Sequence, residues 1–277
     1  MNQSYTKPYT DKRGDETSEL HPAIVFHRDG TREETDVPLV REVPLTVSIN
    51  GVEVLTLLCA GVNLESLSVG FLKSEGLLND RTLFDGVTVD VERGTADVKT
   101  REDARLSMSL LGKRTVTTGC GKGTTFYNSL DALKSRRMTA PVKLGIKTVQ
   151  SLMGALNENS ELYRLTHGVH NCGLALGSEI IIFRSDIGRH NALDMIVGEC
   201  FLSGIPTDDK ILLTTGRITS EILIKCAKVG FSAVVSRSAA TAMAVELARE
   251  MNITTIGRVR AGSATVYTGI ANIEHDR

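Results

Sequence analysis

The alternation of short apolar runs with helical stretches in the second half restricts this chain most. Glu179 to Phe183, Ile211 to Thr214, Ala233 to Val235 and Thr254 to Ile256 read as strands. Between them lie Ala192 to Phe201, Glu221 to Val229 and Ala242 to Met251, each about ten residues with helical spacing. In the first of these, Leu193, Ile196, Val197 and Cys200 share one face. Strand and helix in strict turn predict an α/β layer with largely parallel pairing.

The first half has another rhythm. Pro44 to Ile49 and Val52 to Leu58 are β-rich runs around Asn50-Gly51, a dipeptide suited to a two-residue hairpin turn. Asn63 precedes Leu64, Leu67, Phe71 and Leu72, one face of a helix closed by Gly76. Val87 to Val91 and Ala96 to Lys99 add two strands around Glu92-Arg93-Gly94. The sequence therefore predicts four segments. Residues 1–38 are a polar, flexible arm with a short strand near Ile24 to His27. Residues 39–118 form a small β-rich α+β domain, 119–142 a mobile basic loop, and 143–277 the α/β domain, with the break near Ala140-Pro141.

Composition removes several classes of function. A net charge of −1 over 277 residues argues against a nucleic-acid binder. The polar N-terminus lacks the apolar core of a signal peptide, and no run approaches the roughly 18 apolar residues of a membrane span. A cytoplasmic protein is expected. Five cysteines without C-x-x-C spacing fit reduced thiols.

One thiol stands apart. In TTGCGKGTTF, Cys120 lies between Gly119 and Gly121, with Lys122 and Gly123 following. From Gly112 to Lys147 there are eight basic residues and one acid, Asp131, so the segment carries 8 − 1 = +7. Nearby cations favour thiolate over thiol, and glycines leave the sulfur sterically open. Cys59, Cys200 and Cys226 fall instead at apolar positions and read as core residues.

Arg189, Arg217 and Arg237 each follow a strand and precede a helix or its first turns. With parallel strands, these junctions gather where open α/β sheets bind ligands, and guanidinium forks there select phosphate or pyrophosphate. Ser220 and Ser238 are candidate helix caps or phosphate donors. His190 is a candidate pH-sensitive ligand contact beside Asp186. His167, His170 and Cys172 lack a distant fourth ligand, so no metal site is expected.

Taken together, R-x-x-T-T-G-C-G-K around Cys120, T-H-G-V-H, D-I-G-R-H-N-A-L-D, T-T-G-R-I-T-S-E and V-S-R-S-A-A-T-A-M-A-V resemble the FdhD family, the formate dehydrogenase accessory sulfurtransferases. The likeness runs in order from about Arg41 to Tyr267. It implies a second domain similar in fold to cytidine deaminases. It also implies a sulfur carrier: a cysteine desulfurase loads a persulfide on Cys120, and the sulfur passes to the molybdenum of bis-molybdopterin guanine dinucleotide before that cofactor enters formate dehydrogenase. The cofactor is then a substrate, with none held permanently, and GDP is its fragment ligand. Val259, Arg260, Ala261, Gly262, Ser263 and Ala264 match the family's cofactor-contacting segment, with Ala264 where a second arginine is usual. Gly123 stands where some members carry a second loop cysteine, which leaves no internal loop disulfide. A homodimer without membrane or nucleic-acid partners is expected. Two rivals remain in view. A zinc nucleobase hydrolase needs H-x-E and P-C-x-x-C, which the sequence lacks. A non-catalytic guanine-nucleotide chaperone of the apoenzyme would leave Cys120 idle.

Overall fold

The computed structural model describes residues 17–101, 137–139 and 141–274. Its first element corrects an expectation. Within the segment expected to be a flexible arm, β1 (Ser18–Phe26) pairs antiparallel with β2 (Arg32–Val40) along their whole length. Exposed side chains occupy most of both faces, with Leu20 and Phe26 at 70% and 74% exposure. Apolar periodicity cannot announce a strand that buries neither face.

The next unit follows its sequence closely. β3 (Val43–Ile49) and β4 (Val52–Cys59) form the hairpin around Asn50-Gly51, both at positive φ. α1 (Leu64–Glu75) ends at Gly76 in the left-handed region, while Asn63 gives its start no side-chain cap. β5 (Phe84–Asp90) and β6 (Thr95–Thr100) complete a sheet of order β4-β3-β6-β5, with β3 and β6 parallel.

In the second half, β7 (Leu144–Gly145), α2 (Ile146–Glu158) and α3 (Glu161–Thr166) precede β8 (His170–Leu176) and β9 (Glu179–Asp186). Then follow α4 (Arg189–Ser203), β10 (Ile211–Thr214), α5 (Ser220–Val229), β11 (Ala233–Ser236), α6 (Ala242–Met251), β12 (Thr254–Arg260), β13 (Ser263–Thr268) and the short β14 (Ile273–Glu274). The large sheet has the order β13-β12-β11-β10-β8-β9. Only β10, β11 and β12 run parallel to one another in neighbouring pairs. β8 and β9 turn back on each other at Gly177, and β12 and β13 at Ala261-Gly262, so both are antiparallel hairpins and the sheet is mixed.

Alternation along each strand builds two cores. Leu174, Leu212 and Val234 face α4, α5 and α6, while Leu213, Val235 and Ile256 face α2. The first unit is joined to the second through α1 and α4. Met195 and Phe201 of α4 lie in the core of the small sheet, together with Leu67 and Phe71. Gly70 and Gly198 let the two helices meet backbone to backbone: a Cβ would lie 1.7 Å from Asp194 O and 1.8 Å from Ser66 O, respectively. Beside this contact, buried Lys225 of α5 reaches Asp194 at 2.6 Å and Glu75 at 3.4 Å, so its charge is compensated from both helices. The unit that begins at 143 by sequence also holds 137–139: Met138 N–H donates to Met251 O at 2.9 Å.

Candidate functional site

Strand direction fixes the site. Asp186 pairs with His170, Thr214 with Cys172, and Thr214 with Ser236, so β9, β10 and β11 end along one edge of the sheet. β12, parallel to β11, ends there at Arg260. Arg189, Arg217 and Arg237 therefore come to one edge as the sequence predicts, and Arg258 and Arg260 join them. Among the described residues, none of these five guanidiniums forms an ion pair with a carboxylate.

Short-range hydrogen bonds hold the loops that carry them. Thr214 Oγ1 accepts from Gly216 N–H at 3.1 Å, and Ser236 Oγ donates to Gly216 O at 2.6 Å. Arg237 N–H donates to Thr214 O at 3.1 Å, and Ile218 bridges Ala240 in parallel fashion. Gly216 has no room for a Cβ, which would meet Arg189 Cβ at 2.9 Å. The Arg189 side chain thus lies against this turn, its Nε buried and without a hydrogen-bond partner. The helix caps are Thr219 and Thr241, whose hydroxyls accept from Ile222 N–H and Ala244 N–H. Ser220 and Ser238, the expected caps, are not used in that way.

The β12–β13 hairpin supplies the other arginines. Arg258 adopts φ 52°, the left-handed region, within a bulged register, and its N–H donates to Ser238 O at 2.8 Å. A non-glycine residue held there carries strain, and strained backbone clusters at ligand sites. Val259 turns into the core while Arg258 and Arg260 stay exposed. Arg260 Nη1 donates to Arg237 O at 2.5 Å, joining hairpin to loop. Of the expected segment, Arg260, Ala261, Gly262 and Ser263 are presented at the surface, while Ala264 packs toward the α2 core. Nothing lies within 4 Å of a Cβ built on Gly262, so the backbone there is open to approach.

Three titratable groups stand behind the arginines. His170 lies with its Nδ1 3.4 Å from Thr215 Oγ1, and burial, then Arg189 and Arg217, hold it below the usual imidazole range. His190, expected beside Asp186, instead meets Glu221 at 3.3 Å. Burial, followed by Lys225, Arg189 and His170, pushes it down to about 3. Asp186 accepts from Ala60 N–H at 2.9 Å, Gly188 N–H at 2.9 Å and Asn191 Nδ2 at 2.7 Å. Burial outweighs these donors and lifts its carboxyl to about 6.

Four cysteines are placed by the structure, and all are buried. Burial pushes the Cys59, Cys172 and Cys200 thiols up to about 12, and Cys226 higher still. None is a nucleophile at neutral pH. Cys120 and its basic neighbours lie outside the described residues. Cys172 Sγ donates to Thr214 Oγ1 at 3.4 Å, while exposed His167 ends α3. Among the described residues no group of three or more His, Cys, Asp or Glu is placed to hold a metal ion. Sequence reasoning missed Arg258, although the R-V-R alternation around Val259 marks two outward arginines on one strand. It also read His170 as a metal ligand or, more commonly, a histidine held by hydrogen bonds in a turn, and not as a group of the edge. A cleft lined by Arg249, Asn252, Tyr267 and Ile270 opens at the opposite end of β12 and gathers none of the edge arginines.

Residues 40–274 match the FdhD/NarQ family. The chain belongs to the FdhD/NarQ family. It is 43% identical over 230 residues to the sulfur carrier protein FdhD of Bacillus pumilus, covering 83% of this chain and 88% of the relative. The corresponding Staphylococcus aureus protein is 39% identical over 249 residues, covering 90% and 94%. In fold, this FdhD/NarQ chain is similar to a solved structure from Desulfotalea psychrophila described as a formate dehydrogenase accessory protein. The TM-score is 0.76 at 23% identity, with 93% and 100% of the two chains covered. Among the described residues no helix is long and apolar enough to cross a membrane.

Proposed function

We propose that this chain is a sulfur carrier for formate dehydrogenase. Cys120 takes a sulfur from a cysteine desulfurase and passes it to the molybdenum of bis-molybdopterin guanine dinucleotide. The Cys120 thiolate attacks the terminal sulfur of the desulfurase persulfide, whose S–S bond breaks and leaves the donor as a thiolate. The cofactor's guanine dinucleotide phosphates sit on the edge formed by Arg189, Arg217, Arg237 and the exposed turn from Arg260 to Ser263. The observation that carries this reading is five arginines brought to one edge without a carboxylate partner among the described residues, an arrangement that asks for an external anion. The relatives' description as sulfur carriers supports the rest, as does the burial of every other thiol. The exposed row Leu20, Ile24 and Phe26 supports association as a homodimer, which sedimentation equilibrium tests.

Intact mass after incubation with a desulfurase and cysteine tests the carrier step. The wild type gains about one sulfur atom and Cys120→Ser gains none, while its GDP binding is unchanged. If Cys120→Ser still loads sulfur and still activates formate dehydrogenase in cells, the thiol is idle and the chain acts as a nucleotide-binding chaperone.

A further inference from the structure

His170 opens β8 at the same edge, and its Nδ1 lies within reach of Thr215 Oγ1. That oxygen already accepts from Asn171 N–H at 3.0 Å and retains a second lone pair. It can therefore accept from Nδ1–H of a charged ring, leaving Nε2–H for a ligand. The same turn carries both arginines, since Arg217 is two residues beyond Thr215 and Arg189 packs against Gly216, and the charge of each opposes that of the imidazole. A phosphate group between those guanidiniums would reverse that balance, because its negative charge offsets both cations and attracts a third.

We propose that a phosphate or pyrophosphate group seated between Arg189 and Arg217 binds together with one proton, taken from solvent by the His170 imidazole. His170 is thereby a ligand-contacting residue that makes the edge selective for more highly charged phosphates. This rests on the edge being the nucleotide site proposed above. Two other titratable groups lie near His170 among the described residues. His190 of α4 lies 3.3 Å from Glu221 of α5, and burial and then the charge of Lys225 oppose its protonation. Asp186 of β9 is the strand partner of His170, with its carboxylate committed to Ala60, Gly188 and Asn191.

The test is calorimetry of GDP binding in two buffers of different ionisation enthalpy, from pH 6 to 8, for wild type and His170→Asn. Protonation of GDP itself and of Asp186 is common to both proteins, so the difference isolates the imidazole. The wild type is expected to take up more protons per GDP. Its affinity should rise on acidification by up to about tenfold per pH unit more than that of the variant. Imidazole resonances of wild-type His170 followed by NMR should titrate at higher pH with GDP than without, which requires no variant to fold. Equal proton uptake in the two proteins, or a His170 titration unmoved by GDP, overturns the inference while leaving the nucleotide site standing. Absence of GDP binding by wild type at every pH overturns both.

Discussion

Asp186 and His190 lie four residues apart and respond to acid in opposite directions. The Asp186 carboxyl is raised to about 6, so its contribution to stability is fully present below about pH 4 and is lost as pH rises through 6. His190 is lowered to about 3, so its contribution is present above about pH 6.5 and is lost as pH falls toward 3. Between pH 4 and 6 the two slopes oppose each other. Asp186→Asn should steepen the loss of stability in acid, and His190→Gln should flatten it, each by up to about 1.4 kcal/mol per pH unit. Urea denaturation at pH 7 and pH 5 measures both. At the site itself, Arg217→Ala should weaken GDP binding by about 1.5–3 kcal/mol, the range for a hydrogen bond to a charged group. Unchanged affinity across alanine variants of Arg189, Arg217 and Arg237 would remove GDP from this edge. These three arginines were legible because each follows a strand whose apolar run is plain. Arg258 and His170 were not, since a bulge and a strand pairing between distant segments bring them to the edge.

Among the elements, the α1–α4 crossing bears most on the joining of the two halves. Ala at Gly198 would place a Cβ 1.8 Å from Ser66 O, and no side-chain movement relieves a clash with backbone. Gly198→Ala should cost about 1–3 kcal/mol or more as the helices are forced apart. Gly154 in α2 has nothing within 4 Å of its would-be Cβ, so Gly154→Ala should instead add about 0.5–1 kcal/mol. Equal effects at the two positions in urea denaturation would show that the close contact is not limiting. α6 was readable from periodicity because it buries one clear face, Ala244, Leu247, Ala248 and Met251. β10 and β11 were readable because each is a continuous apolar run buried on both faces. α2 and α3 were not read. β8 was obscured: as His-Asn-Cys-Gly-Leu-Ala-Leu it is almost wholly buried, and its opening polar residues serve the edge rather than a pattern. The β1–β2 hairpin was hidden for the converse reason, its charged residues lying on solvent-facing strands.

For the whole molecule, the position of the chain just after the Cys120 segment has a consequence for delivery. Met138 is held by Met251 and by Asn252, whose Nδ2 donates to Met138 O at 2.8 Å. That anchor is at the C-terminal end of α6, the end of the sheet away from the arginines. From Cys120 to Arg137 is 137 − 120 = 17 residues, which chain geometry limits to a separation of at most about 60 Å. The seven residues of β12 span about 23 Å. That limit is more than twice the depth of the sheet, so chain length alone permits Cys120 and the arginine edge of one chain to meet, as the proposed carrier role requires. Cys120→Ser mixed with Arg217→Ala should then fail to restore formate dehydrogenase activation, because the thiol and the intact edge would never share a chain. Recovery in the mixture would mean delivery across subunits. Delivery within one chain is an intramolecular step, and its rate should not change when the protein is diluted.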